Sequence, residues 1–94
     1  MYSIEFTTPS KKDLKNIDKS NQLFIKQSLL EFIQNFSSDY ELSLMNKGKI
    51  KKLQEKKEVL YRLRLRSYRI IYKKKEDKLL ILIIHITTRE DAYK

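Results

Sequence analysis

From Leu60 to Ile86 three strand-like runs follow one another with almost nothing between them, and few foldings of a chain accommodate that. "LYRLRLR" alternates apolar and basic residues, "YRIIYKK" follows a very short turn near Arg66 to Tyr68, and "KLLILIIHI" follows the polar turn "KKKED". Successive residues of a strand point to opposite faces, so Arg62, Arg64 and Arg66 are predicted to project together while Tyr61, Leu63 and Leu65 pack beneath. Connections this short join antiparallel neighbours, since parallel strands need a long crossover. An antiparallel meander is therefore predicted. Its last run is apolar on both faces, which assigns it the central, best-covered position.

The residues before this region supply the rest of a fold. "YSIEFT" alternates Tyr2, Ile4 and Phe6 with polar residues and reads as an opening strand buried on one side. "TPS" breaks it, and Pro9 suits a turn or the first position of a helix carrying Leu14 and Ile17. A second helix, capped by Ser20 or Asn21, places Ile25, Leu29, Phe32, Ile33 and Phe36 on one stripe. "SSDYELSLMNKGK" reads as a long irregular connection holding the sole glycine, Gly48, and the lysine-rich patch from Lys47 to Lys57 as a solvated loop. The order β-α-α-β-β-β predicts an α+β fold, a single domain over residues 1–94, with a helical hairpin on one face of an antiparallel meander sheet. The other face is then open, and the arginine row lies there.

Composition narrows the chemistry. The 94 residues contain no cysteine, which excludes disulfides and thiolate chemistry, and one histidine is too few for a protein-only zinc site. No metal or other cofactor is predicted. The amino terminus lacks the pattern of a signal peptide, and the longest apolar run, Leu79 to Ile86, falls far short of the ~20 residues of a membrane span. A soluble cytoplasmic protein is expected.

The net charge is +9, and its placement says more than its size. Residues 1–46 hold five Lys against six acids, whereas residues 47–94 hold sixteen Lys or Arg against six acids. One half thus carries the whole excess, as a polyanion-binding surface requires. A solvated basic surface that only aids solubility is the plainer alternative. On the nucleic-acid reading, Arg62, Arg64, Arg66 and Arg69 are forked donors matched to phosphate, and Tyr61, Tyr68, Tyr72 and Tyr93 are available to stack on splayed bases. Tyr61 and Tyr72 equally suit cross-strand packing, the reading we favour for them.

The order "KKLQ…VLYRLRLRSYRIIY…KLLILIIHITTREDAYK", set behind a strand and a helical hairpin containing "KDLKNIDK", resembles the RelE/ParE superfamily of type II toxins over essentially the whole chain. The resemblance rests on Tyr-Arg-x-Arg, Tyr-Arg-x-x-Tyr and the terminal Arg-x-x-x-Tyr-Lys, and is closest to the RelE branch. It implies a toxin that cleaves mRNA in the ribosomal A site, the RNA 2′-hydroxyl attacking the adjacent phosphate. Its implied partners are a cognate antitoxin, the ribosome and mRNA, with operator DNA reached only through the antitoxin. By position the resemblance assigns catalytic roles to Arg62, Arg64, Arg69, Arg89 and Tyr93. Lys49, Lys51, Lys52, Arg66 and Tyr68 are expected to contact RNA or the ribosome, the lysines either as docking charges or as parts of a solvated loop.

Two departures from the RelE pattern matter. Arginines stand where lysines are usual, and arginine keeps its proton in a protein, so the base lies elsewhere. Glu90, Asp91, His85 and Tyr93 are the candidates, although "IIHIT" equally suits a packed, hydrogen-bonded histidine. Thr87 and Thr88 stand where glycine often precedes a basic residue. The alternatives are a ParE-like inhibitor of DNA gyrase, or a catalytically degenerate member that retains antitoxin binding.

Overall fold

The computed structural model of the chain describes residues 2–88. Strand β1 (Ser3–Phe6) leads into helices α1 (Thr8–Lys15), α2 (Lys19–Asn35) and α3 (Ser38–Asn46). Strands β2 (Ile50–Glu55), β3 (Glu58–Leu65) and β4 (Tyr68–Lys75) follow, and a single 3₁₀ turn (Glu76–Lys78) connects to β5 (Leu80–Thr88). All five strands form one sheet in the order β1-β5-β4-β3-β2. The meander from β2 to β5 is antiparallel, as predicted, and β1 adds to β5 in parallel, which makes the sheet mixed.

Local chemistry starts each helix where it does. The Thr7 hydroxyl accepts from the Ser10 N–H to cap α1, with Pro9 in the first turn, and Asp18 accepts from the Asn21 N–H to cap α2. The cap of α2 is therefore Asp18, two residues ahead of the nearer residue proposed from sequence. Asn21 donates to the same carboxylate, and these hydrogen bonds hold Asp18 below the usual carboxylate range.

The structure adds two elements to the predicted order. The connection after α2 contains α3, capped by Ser37 and carrying Asp39 and Glu41 in its first turn. The lysine-rich patch contains β2, whose Ile50 is buried opposite Leu63. As an edge strand, β2 leaves Lys51 and Lys52 exposed on alternate sides, so lysines there mark an edge rather than a loop. The middle of the sheet belongs to β4, not to the apolar β5, because β1 contributes only one strand beyond β5 while β3 and β2 both lie on the other side of β4.

One row of the sheet shows how the core is built. Ile50, Leu63, Ile70 and Ile86 stand opposite one another on four adjacent strands, and Tyr61, Tyr72 and Ile83 form the next row. Helix α2 covers this face with Ile25, Leu29, Phe32 and Ile33, all buried. The Tyr61 and Tyr72 rings stack at 5.3 Å, which settles them as packing residues.

The core also contains ionised side chains. Glu41 of α3 is 5% exposed; it accepts from the Tyr72 hydroxyl at 2.5 Å and from Lys74 Nζ at 2.7 Å. Burial, and then the hydrogen bond to Glu41, push the Tyr72 hydroxyl far above its ordinary range. Burial alone lowers the Lys74 ammonium, but the Glu41 hydrogen bond and charge outweigh it and raise the group overall.

Strand β1 covers only part of β5, its register running from Ser3 opposite Leu80 to Phe6 opposite Ile83. Beyond that point α1 and its cap take over. The Thr7 hydroxyl donates to the Ile84 carbonyl at 2.9 Å, and Asp13 Oδ2 accepts from the Ile86 N–H at 3.0 Å. Backbone groups that a longer β1 would have paired are thus met by side chains.

Candidate functional site

On the face away from α2, two registers bring charged residues together. Lys51, Arg62, Ile71 and His85 stand opposite one another from β2 to β5, and Arg64, Arg69 and Thr87 form the neighbouring row from β3 to β5. A β-bulge between Ile71 and Tyr72 leaves Ile84 as the extra residue on β5, and so brings His85 onto this face. The two-residue turn at Arg66 and Ser67 sets the remaining geometry. It fixes Arg64 opposite Arg69, each on the side of its strand away from α2.

The guanidinium groups differ in setting. Arg62 and Arg69 are 8% and 4% exposed, whereas Arg64 is open to solvent. Arg64, Arg66, Ser67 and Arg69 line a cleft of about 340 Å³. Arg66 leaves the predicted row. It lies in the turn with a φ of 55°, its Cζ 3.6 Å from the centre of the Phe24 ring and its Nη1 donating to Asn21 Oδ1 at 3.1 Å. Chain reversal after Leu65 turns it towards α2, so it forms one wall of the cleft and does not continue the strand face. Directly opposed like charges such as Arg64 and Arg69 repel, and an anion between them relieves that repulsion.

The other predicted contact residues divide between the two faces. Lys51 aligns with Arg62, and the carbonyl of Lys49 accepts from the Arg64 N–H at 2.9 Å, so both flank the arginines. Lys52 stands opposite Tyr61 and belongs to the helix-bearing side. Tyr68 is half-buried against the core on that same side, away from the arginine row. Arg89, Glu90, Asp91 and Tyr93 lie outside the described residues.

His85 is not packed in the apolar interior. Its side chain is 51% exposed, and Nδ1 lies 3.3 Å from Asp13 Oδ2. Asp13 is the site residue that sequence reasoning missed. Its only signal is a lone acid between Lys12 and Leu14, and nothing local shows that it reaches a strand more than seventy residues later. Among the described residues no group of three or more His, Cys, Asp or Glu is placed to hold a metal ion. No helix among them is long and apolar enough to cross a membrane.

The arrangement suits the binding of a phosphate and the stabilisation of charge that develops on it. The fold matches solved toxins closely. The RelE of the intact Escherichia coli RelBE toxin-antitoxin complex superposes with a TM-score of 0.66 at 17% identity, over 94% of this chain and 96% of the other. The archaeal RelE-RelB complex from Pyrococcus horikoshii OT3 gives 0.69 at 24% identity, over 97% and 98%. The RelB-RelE antitoxin-toxin complex from Methanococcus jannaschii gives 0.66 at 26% identity, over 95% and 94%. No curated protein matches the sequence. A family model described as the ParE toxin of the type II toxin-antitoxin system parDE matches residues 4–93. The chain belongs to this toxin family, within the RelE/ParE superfamily, and its fold is similar to that of solved RelE toxins.

Proposed function

We propose that this toxin is an endoribonuclease that cleaves mRNA in the ribosomal A site. The observation that carries the reading is the pair of cationic rows on the open face, with Arg64 and Arg69 directly opposed beside Arg62. In the proposed reaction the ribose 2′-oxygen attacks the adjacent phosphorus and the 5′-oxygen of the next nucleotide departs. Arg62, Arg64 and Arg69 hold the phosphate and balance the second negative charge that it gains in the transition state. Arg89 and Tyr93 complete the set by resemblance to the RelE pattern, the tyrosine stacking on a base. Lys49 and Lys51, beside the arginines, supply affinity for ribosomal RNA as point charges, and Arg66 shapes the cleft wall. The relatives solved with RelB support a cognate antitoxin as the partner of this chain too, with the cationic face as the surface that an acidic segment would cover.

Cleavage mapping with purified ribosomes and a translated message tests this reading. Wild-type protein should cut the message within the A-site codon, and Arg69→Gln should cut it about 100 to 1,000-fold more slowly while melting as a folded protein. An uncut message with wild-type protein sinks the proposal.

The family model favours a second reading, since it is that of a ParE toxin. On that reading the same basic surface binds DNA gyrase and no RNA is cut. Filamentation and DNA damage on expression, with messages intact, would select it.

A further inference from the structure

We propose that His85, oriented by Asp13, is the proton acceptor of the cleavage reaction; this rests on the endoribonuclease reading above. The arginines cannot fill this role, because a guanidinium has no free lone pair and does not lose its proton in a protein. His85 shares the open face with them, in the row of Arg62 and Ile71. Neighbouring strands lie ~4.8 Å apart, so the backbones of Arg62 and His85 stand roughly 10 Å apart across Ile71. Arg69 is on the strand next to His85 and one step along it, a diagonal of about 7–8 Å. A phosphate gripped by the arginines therefore brings its neighbouring ribose within reach of the imidazole, over a half-buried Ile71.

The ring has a defined orientation. In the proposed dyad the Asp13 carboxylate accepts from Nδ1 across the 3.3 Å contact to Oδ2, the tautomer that turns the Nε2 lone pair to the substrate. Asp13 is itself held, because the same oxygen accepts from the Ile86 N–H at 3.0 Å. Helix α1 is fastened to β5 a second time through Thr7 and Ile84. Asp13 thus acts as a positioning residue, stabilising the imidazolium that forms.

In the reaction Nε2 takes the proton of the 2′-hydroxyl as the bond from the 2′-oxygen to phosphorus forms. The bond to the 5′-oxygen breaks, and that oxygen takes a proton from water. The products are a 2′,3′-cyclic phosphate and a free 5′-hydroxyl. Among the described residues, the charged groups around the imidazole on this face are Asp13 from α1, Arg69 and Lys73 of β4 on either side of Ile71, and, across the sheet, Arg62 of β3.

Ribosome-dependent cleavage is measured under single-turnover conditions across a range of pH. Wild-type protein should lose rate on acidification, as an imidazole base becomes protonated. His85→Ala should be slowed about 100-fold or more at unchanged half-saturating ribosome concentration, lose that acid limb, and regain rate when free imidazole is added. Asp13→Asn, which can still accept from the Ile86 N–H, should lose about 10-fold in rate at unchanged half-saturating ribosome concentration. If wild type cleaves while His85→Ala keeps the wild-type rate and pH profile, the dyad is wrong and the endoribonuclease reading survives. A slow His85→Ala variant that imidazole does not rescue and whose acid limb is unchanged also overturns the assignment. If wild type cuts nothing, the functional reading fails and the dyad loses its reaction.

Discussion

At the scale of single residues, the two tight turns of the meander reverse on non-glycine residues with left-handed backbones. Lys56 has a φ of 53° and Arg66 a φ of 55°. Side chains with a Cβ disfavour this region by about 1 kcal/mol, and glycine does not. Lys56 is exposed, so Lys56→Gly should stabilise the protein by roughly 0.5–1 kcal/mol and raise Tm by a few degrees, measurable by calorimetry. The same change at Arg66 should give no such gain, because its guanidinium also packs on Phe24 and bonds Asn21. Such distinctions limit what the sequence reveals. Alternation placed Arg62 and Arg64 on one face, because strand parity is local, whereas the position of Arg69 opposite Arg64 is set by the turn between their strands. Neither the departure of Arg66 nor the approach of Asp13 to His85 is local; the first depends on how the chain turns after Leu65 and the second on helix docking.

At the scale of elements, the most informative junction is that between α3 and β4. Glu41 sits between the Tyr72 hydroxyl and the Lys74 ammonium, and the Lys74 side chain is only 14% exposed. Removing one partner of a buried ion pair leaves the other charge desolvated, which costs about 3 kcal/mol or more. Glu41→Gln should therefore lower Tm by more than about 10 °C in thermal denaturation. The triple change Glu41→Leu, Tyr72→Phe and Lys74→Met should recover most of the loss, since an apolar core of similar volume carries no desolvation penalty. A Glu41→Gln variant as stable as wild type would show that this pair contributes nothing. Helix α3 escaped the sequence reading for a related reason: it is held by a carboxylate and by half-buried Tyr40, Leu44 and Met45, not by an apolar stripe. Strand β2 escaped because its lysines resemble a loop, and only its pairing with β3 shows otherwise. The α+β layering and the meander were readable because long apolar periods and short turns impose them whatever the tertiary details.

For the whole molecule, the raised Tyr72 and Lys74 groups give stability a direction in pH. In the unfolded chain both titrate near their ordinary values of 10.0 and 10.5, and in the folded chain both hold their protons to higher pH. The folded state then binds more protons above about pH 10, and stability falls as pH rises through and beyond that value. Urea midpoints measured between pH 8 and 11 should drop for wild type, and the drop should be shallower for Lys74→Met combined with Tyr72→Phe. Equal slopes in the two proteins would remove this pair from the alkaline response.

The seal between α1 and β5 bears on how such a molecule comes into being. Thr7 and Ile84, 77 residues apart, are joined by one hydrogen bond, and among the described residues β1 has β5 as its only strand neighbour. Synthesis runs from the amino end, so the first strand to leave the ribosome waits for the last. Until β5 emerges, the Arg64–Arg69–Thr87 row lacks a strand, and Asp13 and His85 have not met. On the endoribonuclease reading proposed above, the order in which the chain's parts are delivered thus withholds a complete site until the strand that carries His85 has been made.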